Sequence, residues 1–574
     1  MKNLLFLTIF LGSLYINGAA QCPPTNVLNF YNQAGIDSFI VQWKDCTEFP
    51  GNVIVDGANI KNLGGLAKLK EIGGNLIIRF SDSLTTLYGL DALKTLGGFL
   101  QIKDCDTLYS LSGLSALQTI GGHFEIFSNN RLQNVDDLLS LQSIGGYLDI
   151  NDNDLLQDLS GLDNLLDLGQ SQPLRIRNNK SLSDLMSFNS LTEVDGYLEI
   201  YNNDSLKHLT GLNSLTRIGG YLEIESNPLL EDLSSLVSLN SVGGHFLMHR
   251  NGSLNNISGL VSLNTIGKYL WIEKCHSLQD LSGLEGILLI PEDLHFFDNT
   301  GLLSLNGLDN LLTVGGHLYI GGNDRMINLA GLNSLNSVAG YVKVINNDSL
   351  QSLSGLDQLS VVGSNMEIGG NFLLQSLSGL NNLSVVNGNL SITGNLTLKQ
   401  IEDISHLSAI QGTLWLERND ELVSLKGLDS IDVSTIYSLQ LLHSENMSDC
   451  ASRTICAYLA APGKPVTIFN NATGCQTVEE INNACALVSI DSDIQGAFIR
   501  PVIFPNPTQT TFEIQGISGH EKVWVEITDL MGRMIRRSMP YEGDPVDIHE
   551  LPGGIYLVEV SIESQSKQIR LIKE

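Results

Sequence analysis

The sequence predicts a mainly β protein, in which a right-handed parallel β-solenoid of about 17 rungs is followed by a small C-terminal β-sandwich. Three observations lead to this fold class. A Leu-x-Ile strand pattern returns every 24 residues, an asparagine stands at the same place in most repeats, and both patterns stop near residue 500. So constant a period is typical of stacked rungs rather than of separate domains.

The strand pattern alternates apolar and polar residues, so the first and third strand residues are expected inside and the second and fourth outside. Fifteen rungs share one register, and every step is 24 residues except the 26-residue step from Leu148 to Leu174. Their first strand residues are Leu76, Leu100, Phe124, Leu148, Leu174, Leu198, Leu222, Phe246, Leu270, Leu294, Leu318, Val342, Met366, Leu390 and Leu414.

The sixth position of each rung predicts a buried column, which we call the asparagine column. It is Asn in twelve of the fifteen rungs, and Ser81, Cys105 and Cys275 fill the others. An asparagine side chain both donates and accepts hydrogen bonds, so it can satisfy backbone groups of its own rung and of a neighbour. We therefore expect a structural role for the column rather than a catalytic one.

The two ends of the chain differ from the repeat. Lys2, a short apolar run and small residues before Cys22 predict a secretory signal peptide. A lipid anchor on Cys22 is the alternative, although Gln21 stands where a lipobox wants a small residue. The predicted organisation is a signal peptide (1–20), an N-terminal cap (21–50), the repeat solenoid (51–445), a disulfide-stapled C-terminal cap (446–485), a linker (486–500) and a C-terminal domain (501–574).

Six of the eight cysteines are expected to form disulfides, because an exported chain enters an oxidising compartment. Cys22 and Cys46 flank the segment before the first rung and predict a staple of the N-terminal cap. Cys105 and Cys275 are expected to be buried free thiols.

The other four cysteines cluster at the end of the repeat. If rungs begin at Leu441 and Val466, then Asn446 and Asn471 continue the asparagine column, and Cys450 and Cys475 both fall at position 10. This register predicts the bridge Cys450–Cys475 and, by elimination, the bridge Cys456–Cys485.

Composition excludes several classes of partner. The chain has 62 acidic and 32 basic residues, a net charge of −30. Nucleic acid is therefore not expected as a partner, because phosphate binding needs clustered Lys and Arg. Beyond the signal peptide no apolar stretch is long enough to cross a membrane, so no transmembrane segment is expected.

The outer face of the predicted sheet concentrates aromatic residues, although only 6% of the chain is aromatic. Aromatic planes beside carboxylates suit sugar rings or a protein hot spot. A stacked ladder that only stabilises the sheet is the alternative. The candidate ligand-binding residues are Tyr197, Tyr201, Tyr221, Glu223, His245, His249, Tyr269, Trp271, His295, Phe297 and Tyr319.

No metal site, cofactor or catalytic residue is predicted. His245 and His249 stand about 13 Å apart along one extended strand, which is too open for zinc ligands. The sequence also lacks the motifs of serine hydrolases, zinc proteases and phosphate-binding loops.

Two resemblances add to this interpretation. The segment Ile218-Gly219-Gly220-Tyr221-Leu222-Glu223-Ile224, repeated over residues 46–485, resembles the receptor L domains of insulin- and EGF-type receptors. The array is far longer than one receptor lobe. This resemblance implies a leucine-rich-repeat-like fold and a binding role, not signalling.

The C-terminal segment resembles the type IX secretion sorting domain of Bacteroidetes. Short alternating strands are separated by turns there. The resemblance implies export across the outer membrane by the type IX machinery and then removal of the domain, with surface anchoring or release. The residues that carry it are Pro505, Asn506, Pro507, Asp529, Gly532, Arg533, Gly554, Tyr556 and Lys573.

Together these observations predict a secreted or cell-surface adhesion or ligand-binding protein without catalytic activity. Its partner would be a carbohydrate or a protein that contacts the aromatic face. A β-solenoid polysaccharide lyase is the first alternative, although one two-residue insertion among the rungs leaves no long loops to build a cleft. A structural spacer of the surface layer is the second alternative.

Overall fold

The computed structural model describes residues 21–486, 502–515, 523–529, 533–541, 544–562 and 565–573. The predicted signal peptide and nearly all of the predicted linker lie outside these residues. The chain divides into two compact units, Met1–Gly243 and Gly244–Glu574.

The first unit is a parallel β-solenoid with one long strand and one short strand per rung. Helix Gln33–Gln42 follows the first strand, and the Asn32 side chain caps it by accepting a hydrogen bond from the Gly35 N–H at 3.0 Å. The long strands are Val27–Phe30, Asn52–Asp56, Leu76–Arg79, Leu100–Lys103, Phe124–Phe127, Leu148–Asn151, Leu174–Arg177, Leu198–Tyr201 and Leu222–Glu225. The short strands are Glu48–Phe49, Glu71–Ile72, Thr95–Leu96, Thr119–Ile120, Ser143–Ile144, Asp167–Leu168, Glu193–Val194, Arg217–Ile218 and Ser241–Val242.

The second unit repeats this architecture, and its solenoid ends in a capping region with helices Arg453–Ala460 and Val478–Cys485. Its long strands are Phe246–His249, Leu270–Glu273, Leu294–Phe297, Leu318–Gly321, Val342–Ile345, Met366–Gly369, Leu390–Thr393, Thr413–Glu417, Ser438–Leu442 and Val466–Phe469. Its short strands are Thr265–Ile266, Leu289–Ile290, Thr313–Val314, Ser337–Val338, Val361–Val362, Val385–Val386 and Ala409–Ile410.

The predicted fold class is confirmed. Neighbouring long strands pair in parallel and in the repeat register, as in Leu198↔Leu222 and Leu270↔Leu294. The first and third strand residues are buried and the second and fourth are partly exposed in nearly every rung. Two strands, Val27–Phe30 and Asn52–Asp56, precede the first predicted rung. They carry no asparagine at the sixth position, so the repeat pattern does not include them.

The asparagine column ties successive rungs together inside each unit. The Asn347 side chain accepts a hydrogen bond from the Asn323 N–H at 3.0 Å. Its amide group donates to the Ile320 carbonyl of the preceding strand at 3.1 Å. Each buried asparagine thus satisfies backbone groups that water does not reach, as the sequence predicts.

Two turns need special backbone conformations. The residue before the asparagine column has a positive φ, such as 54° at Asn346, which ends the strand and directs the next side chain inward. Gly331 has a φ of 108°, and a Cβ atom there would lie 1.9 Å from the Leu305 carbonyl oxygen. Only glycine fits that close contact between rungs.

The predicted register of the last rungs is wrong in one place. Leu414 pairs with Leu439, not with Leu441, so the rung begins two residues earlier. Ser444 rather than Asn446 then continues the column, and its N–H donates to Asn471 Oδ1 at 3.1 Å. A serine hydroxyl accepts the same kind of hydrogen bond as an asparagine side chain. A pattern that requires asparagine therefore selects Asn446 and places the rung two residues too late.

The three predicted disulfides are present. Cys22–Cys46, Cys450–Cys475 and Cys456–Cys485 have Cα–Cα distances of 4.7, 5.7 and 5.6 Å. Cys105 and Cys275 are buried free thiols, as expected. Burial raises the pKa of both thiols to about 12.

A smaller antiparallel β region forms the C-terminus. Phe512, Val525 and Val558 are fully buried in its core. One sheet contains Val502–Phe504, Thr511–Gln515 and Val546–Asp547, and the other contains Met534–Tyr541, Val523–Asp529, Gly554–Ile562 and Gln565–Lys573.

Candidate ligand-binding surfaces on the outer face of the solenoid

The predicted ligand-binding residues belong to two surfaces, one on each unit. Tyr197, Tyr201, Tyr221 and Glu223 belong to the first unit, on or next to the strands Leu198–Tyr201 and Leu222–Glu225. The other seven belong to the second unit, on or next to the first four strands of that unit. All eleven side chains are partly exposed.

The residues just before the strands of the first unit form stacked rings. The ring centroids of Phe99 and His123 are 4.3 Å apart, and those of His123 and Tyr147 are 4.6 Å apart. Tyr197 and Tyr221 stack in the same way at 4.2 Å. Each ring covers a face of its neighbour, so this column stabilises the sheet in the manner of cross-strand aromatic pairs.

A network of charges occupies the strands beside these rings. The Arg177 guanidinium contacts the Asp149 carboxylate at 2.6 Å. Arg175 lies 3.6 Å from the same carboxylate and 3.9 Å from Glu199, and its Nε donates to the Tyr197 hydroxyl at 2.7 Å. The opposite charges are thus paired with each other, although Asp149 Oδ1 and Arg177 Nε make no hydrogen bond to the described residues.

Glu125 extends this network. Burial raises the pKa of its carboxyl, but hydrogen bonds from Tyr147 and Gln101 outweigh burial and hold that pKa below its usual value. The Gln101 amide donates at 2.6 Å, and the Tyr147 hydroxyl donates through a short bond. Glu125 is therefore an ionised carboxylate whose acceptor sites are occupied by the protein.

Tyr201 and Glu223 adjoin the network without completing a pocket. Tyr201 lies opposite Arg177 on the next strand, and Glu223 lies opposite Glu199. Burial and the nearby Glu223 charge raise the pKa of Glu199, against the opposing effect of the arginines. The first surface is thus polar and internally bonded.

The second surface is a cluster of rings. Trp271 and His295 have ring centroids 4.9 Å apart with tilted planes, and His295 and Tyr319 are 5.6 Å apart. Phe297 meets Tyr319 edge-on at 5.6 Å. Tilted rings leave parts of their faces uncovered, unlike the stacked column of the first unit.

A glycine positions Tyr319 in this cluster. A Cβ atom on Gly321 would lie 2.9 Å from Cε1 of the Tyr319 ring. Tyr319 therefore lies over the strand where the following outward position carries no side chain, and it covers that backbone instead of pointing away.

Glu273 is the polar centre of the second surface. Its carboxylate accepts a hydrogen bond from the Trp271 indole N–H at 3.0 Å and contacts the Lys274 ammonium at 2.8 Å. His249 Nε2 lies 3.5 Å from the same carboxylate. These contacts fix the indole in one orientation.

His295 lies between two aromatic rings and is half-buried. Its Nε2 atom is buried and has no hydrogen-bond partner among the residues that the structure describes. Burial lowers the pKa of the imidazole, so the ring is neutral at pH 7. A neutral His295 therefore adds no charge between the rings of Trp271 and Tyr319.

Two of the predicted residues, His245 and Tyr269, form a stacked pair beside the cluster, and a second pair of the same kind lies further along the column. His245 stacks on Tyr269 at 4.4 Å, and His317 stacks on Tyr341 at 3.8 Å. The sheet-stabilising alternative therefore describes the column just before the strands, whereas the second and fourth strand positions carry the uncovered rings.

The sorting-domain motif residues close turns in the C-terminal region. The Asn506 amide donates to the Arg570 carbonyl at 2.7 Å, and its oxygen accepts from the Ile572 N–H at 2.8 Å. Asp529 accepts from the Arg533 backbone and side chain at 2.9 and 2.7 Å. Gly532 lies outside the described residues.

The last motif strands close the same region. The Tyr556 hydroxyl donates to the Pro552 carbonyl at 2.8 Å and so closes the turn before strand Gly554–Ile562. Lys573 is largely buried, at 9% exposure. The motif therefore consists of residues that hold turns and the C-terminal strand in place.

Within the described parts of the chain, neither a metal cluster nor a membrane-spanning helix is found. No group of three His, Cys, Asp or Glu side chains there could hold a metal ion. No helix in those parts is both long and apolar enough to cross a bilayer.

Comparison with known families identifies only the C-terminal region. Residues 502–574 match the family of secretion system C-terminal sorting domains. This domain directs the protein through the type IX system to the cell surface or the extracellular space. No curated protein matches the chain.

Sequence reasoning missed two sets of outward residues. Asp149, Arg175 and Arg177 form the charge network of the first unit, and Trp415 and Glu417 lie on a later strand of the second unit. All five stand at the second or fourth strand position. The signal that identifies them is the same alternation, applied to charged as well as aromatic residues and to the rungs that follow Tyr319.

Proposed function

We propose that this exported protein is a non-catalytic adhesion or ligand-binding protein, and that it binds through the aromatic surface of its second unit. The observation that carries the proposal is the cluster of Trp271, His295 and Tyr319, in which tilted rings surround one oriented indole. Aromatic rings with a few fixed polar groups are typical of sites for sugars and of interface hot spots.

The first unit supports this assignment by contrast. Its arginines and carboxylates bond to one another, Tyr197 stacks on Tyr221, and Tyr197 also bonds to Arg175. A ligand there would have to break those contacts before making its own. The cluster around Trp271 requires no such exchange, because the hydrogen bond from the indole to Glu273 lies at the ring edge and leaves the ring face to packing contacts.

The resemblance to receptor L domains supports the same function. Such a relationship implies a repeat scaffold that presents a binding face, and the sorting domain supports an extracellular location. Catalysis is not part of the proposal, since the one carboxylate of the cluster, Glu273, is engaged by Trp271, Lys274 and His249.

Binding measurements on variants test the proposal. The secreted protein is applied to an array of glycans and extracellular-matrix proteins, next to Trp271→Ala, Tyr319→Ala and the control Phe372→Ala. Phe372 is exposed at 46% but lies in a turn rather than on the sheet. We expect the affinity for the bound ligand to fall about tenfold or more in Trp271→Ala and Tyr319→Ala and to stay unchanged in the control.

Two results would reject the proposal. If Trp271→Ala and Tyr319→Ala bind like the wild type and their melting temperatures are unchanged, this surface is not the binding site. Depolymerised glycan products would instead indicate a lyase.

A spacer function is the second candidate, and one observation favours it. The stacked rings from Phe99 through Tyr147 reinforce the sheet without leaving faces for a ligand. A protein that binds nothing on the array, yet whose loss alters the thickness of the surface layer, would support the spacer.

A further inference from the structure

The two tryptophans on the described long strands of the solenoid stand in the same short motif. The segments are Leu270-Trp271-Ile272-Glu273-Lys274 and Leu414-Trp415-Leu416-Glu417-Arg418. In both, the tryptophan is the second and the glutamate the fourth residue of the repeat register, and the cation follows the strand. The cationic residue has a positive φ in both, 55° and 52°.

The side chains of the two motifs have the same geometry. The indole N–H of Trp271 donates to Glu273 Oε2 at 3.0 Å, and that of Trp415 donates to Glu417 Oε2 at 3.0 Å. The following cation faces the other carboxylate oxygen, at 2.8 Å for Lys274 and 3.9 Å for Arg418. The polar edge of each indole is thus fixed toward its glutamate.

Trp415 has the more open surroundings of the two. Its side chain is 37% exposed. Ser391 and Gln440 lie opposite it on the two neighbouring strands, where Trp271 has Leu247 and His295. Among the described residues neither the Ser391 hydroxyl nor the Gln440 amide is hydrogen-bonded, so both are available beside the ring.

Charge limits the class of ligand. Each glutamate is balanced by one lysine or arginine, while the whole chain carries a net charge of −30. Long-range repulsion therefore disfavours polyanions such as uronate or sulfate polymers. An aromatic plane flanked by a hydroxyl and an amide matches the C–H face and the hydroxyl edge of a neutral sugar.

The spacing of the two motifs points to a polymer. Both lie in the second unit, and six strand-to-strand steps separate them, from Leu270–Glu273 to Thr413–Glu417. At ~4.8 Å per step this is about 29 Å. A ligand chain of that length contacts both tryptophans, and the second contact then forms intramolecularly.

We propose that Trp415, with Glu417, Ser391 and Gln440, is a second binding platform for a neutral polysaccharide, and that one chain bridges it to the platform at Trp271. This inference rests on the proposed function, to which it adds a ligand class and a second site.

Titration of the full chain with defined polysaccharides tests the inference. The probes are hydroxyethylcellulose, xylan and laminarin as neutral polymers, a trisaccharide of whichever binds, which is too short to span both tryptophans, and alginate as the acidic control. The variants are Trp271→Ala, Trp415→Ala, the double variant, Ser391→Glu and the control Phe372→Ala. Ser391→Glu adds bulk and charge beside the Trp415 ring without removing it.

The inference predicts a specific pattern. Trp415→Ala and Ser391→Glu each lower affinity for the polymer by about tenfold or more and reduce trisaccharide stoichiometry from two sites to one. Trp271→Ala has the same effect, the double variant abolishes binding, and Phe372→Ala binds like the wild type. Melting temperatures of the single variants remain within a few degrees of the wild type.

The failures of the two proposals differ. If Trp271→Ala abolishes polymer binding while Trp415→Ala and Ser391→Glu match the wild type, the second platform is overturned and the proposed function stands. If alginate binds better than every neutral polymer, or only a protein binds, the neutral-glycan assignment is overturned. If no probe and no protein binds at either tryptophan, both proposals fall.

Discussion

The asparagine column and the outer face belong to the same rungs but follow opposite rules. The column repeats one residue type from rung to rung, and its hydrogen bonds repeat with it, as Asn129 and Asn347 show. The outer face changes between rungs, from paired charges around Asp149 to uncovered rings around Trp271. The difference teaches that the buried column determines the fold, while the exposed positions are free to acquire a function.

The strongest test of this comparison removes one member of the column. In Asn347→Ala, the Asn323 N–H loses its acceptor, and the Ile320 and Ile345 carbonyls lose the hydrogen bonds from the side-chain amide. We expect the free energy of unfolding to fall by about 3 kcal/mol, because buried groups are left unsatisfied. Denaturant unfolding measures the change.

The matched control is Asn333→Ala, an exposed asparagine that bonds Asp309 at 2.9 Å. We expect this variant to lower the free energy of unfolding by less than about 0.5 kcal/mol. Equal costs for the two variants would contradict the special role of the column.

The next test concerns the charge network, the part of the outer face whose side chains bond mainly to one another. Asp149→Asn leaves Arg175 and Arg177 without their shared carboxylate. Because the arginines are partly exposed, solvent screens the loss, and we expect a cost of about 1 kcal/mol. Urea unfolding at low and high salt provides the measurement.

Asp154→Asn is the control for the charge network, because its ion pair with Lys180 is exposed at the surface. We expect no measurable change in that variant. A cost for Asp149→Asn no larger than this control would show that the network contributes nothing to stability.

A smaller change in stability is expected when an asparagine is placed where the asparagine column is interrupted. Cys275 interrupts it, and its sulfur contacts the Glu273 carbonyl at 3.7 Å and is hydrogen-bonded with Asn251. Cys275→Asn should raise the free energy of unfolding by about 0.5–1 kcal/mol, since an amide bonds carbonyls more strongly than a thiol does. A lower stability in thermal unfolding would mean that the site does not accept the asparagine geometry.

The smallest effect is a pH dependence confined to the ring cluster. Burial lowers the pKa of His295 in the folded protein, so the unfolded chain binds its proton more readily. Stability from this residue is therefore complete above the unfolded pKa of about 6.5 and is lost as the pH falls through that value toward the lowered folded pKa. His295→Gln should remove the part of the pH dependence of the unfolding free energy that comes from this imidazole.

The difference between His295→Gln and the wild type should be constant above pH 7 and change below it. Unfolding free energies at half-unit pH intervals measure it. Parallel curves from pH 7 to 5 would show that His295 is not desolvated.

The sequence predicted the parts of the fold that repeat. The Leu-x-Ile alternation places Leu198 and Ile200 inside, and the asparagine column identifies the turn. It could not predict the strand Val27–Phe30, which lacks the column, or the register at Ser444, where a serine replaces asparagine. These residues satisfy the same geometry with different side chains.

The candidate site was less predictable for a physical reason. Alternation identifies which residues face outward but not which of them bond to each other. Tyr197 and Trp271 look alike in the sequence, yet Tyr197 stacks on Tyr221 and bonds Arg175, while Trp271 is held by one glutamate. Ring tilt and charge pairing depend on neighbouring rungs, and only the structure supplies them.

Oxidative footprinting of the tryptophans tests the central claim most directly. The secreted protein is treated with N-bromosuccinimide, with and without a saturating neutral polysaccharide, and oxidation is read by peptide mass spectrometry. We predict that the ligand protects Trp271 on the outer face and leaves Trp43, in the N-terminal segment, unchanged. Equal oxidation of Trp271 with and without a ligand that is demonstrably bound would contradict the claim that the outer face is the binding surface.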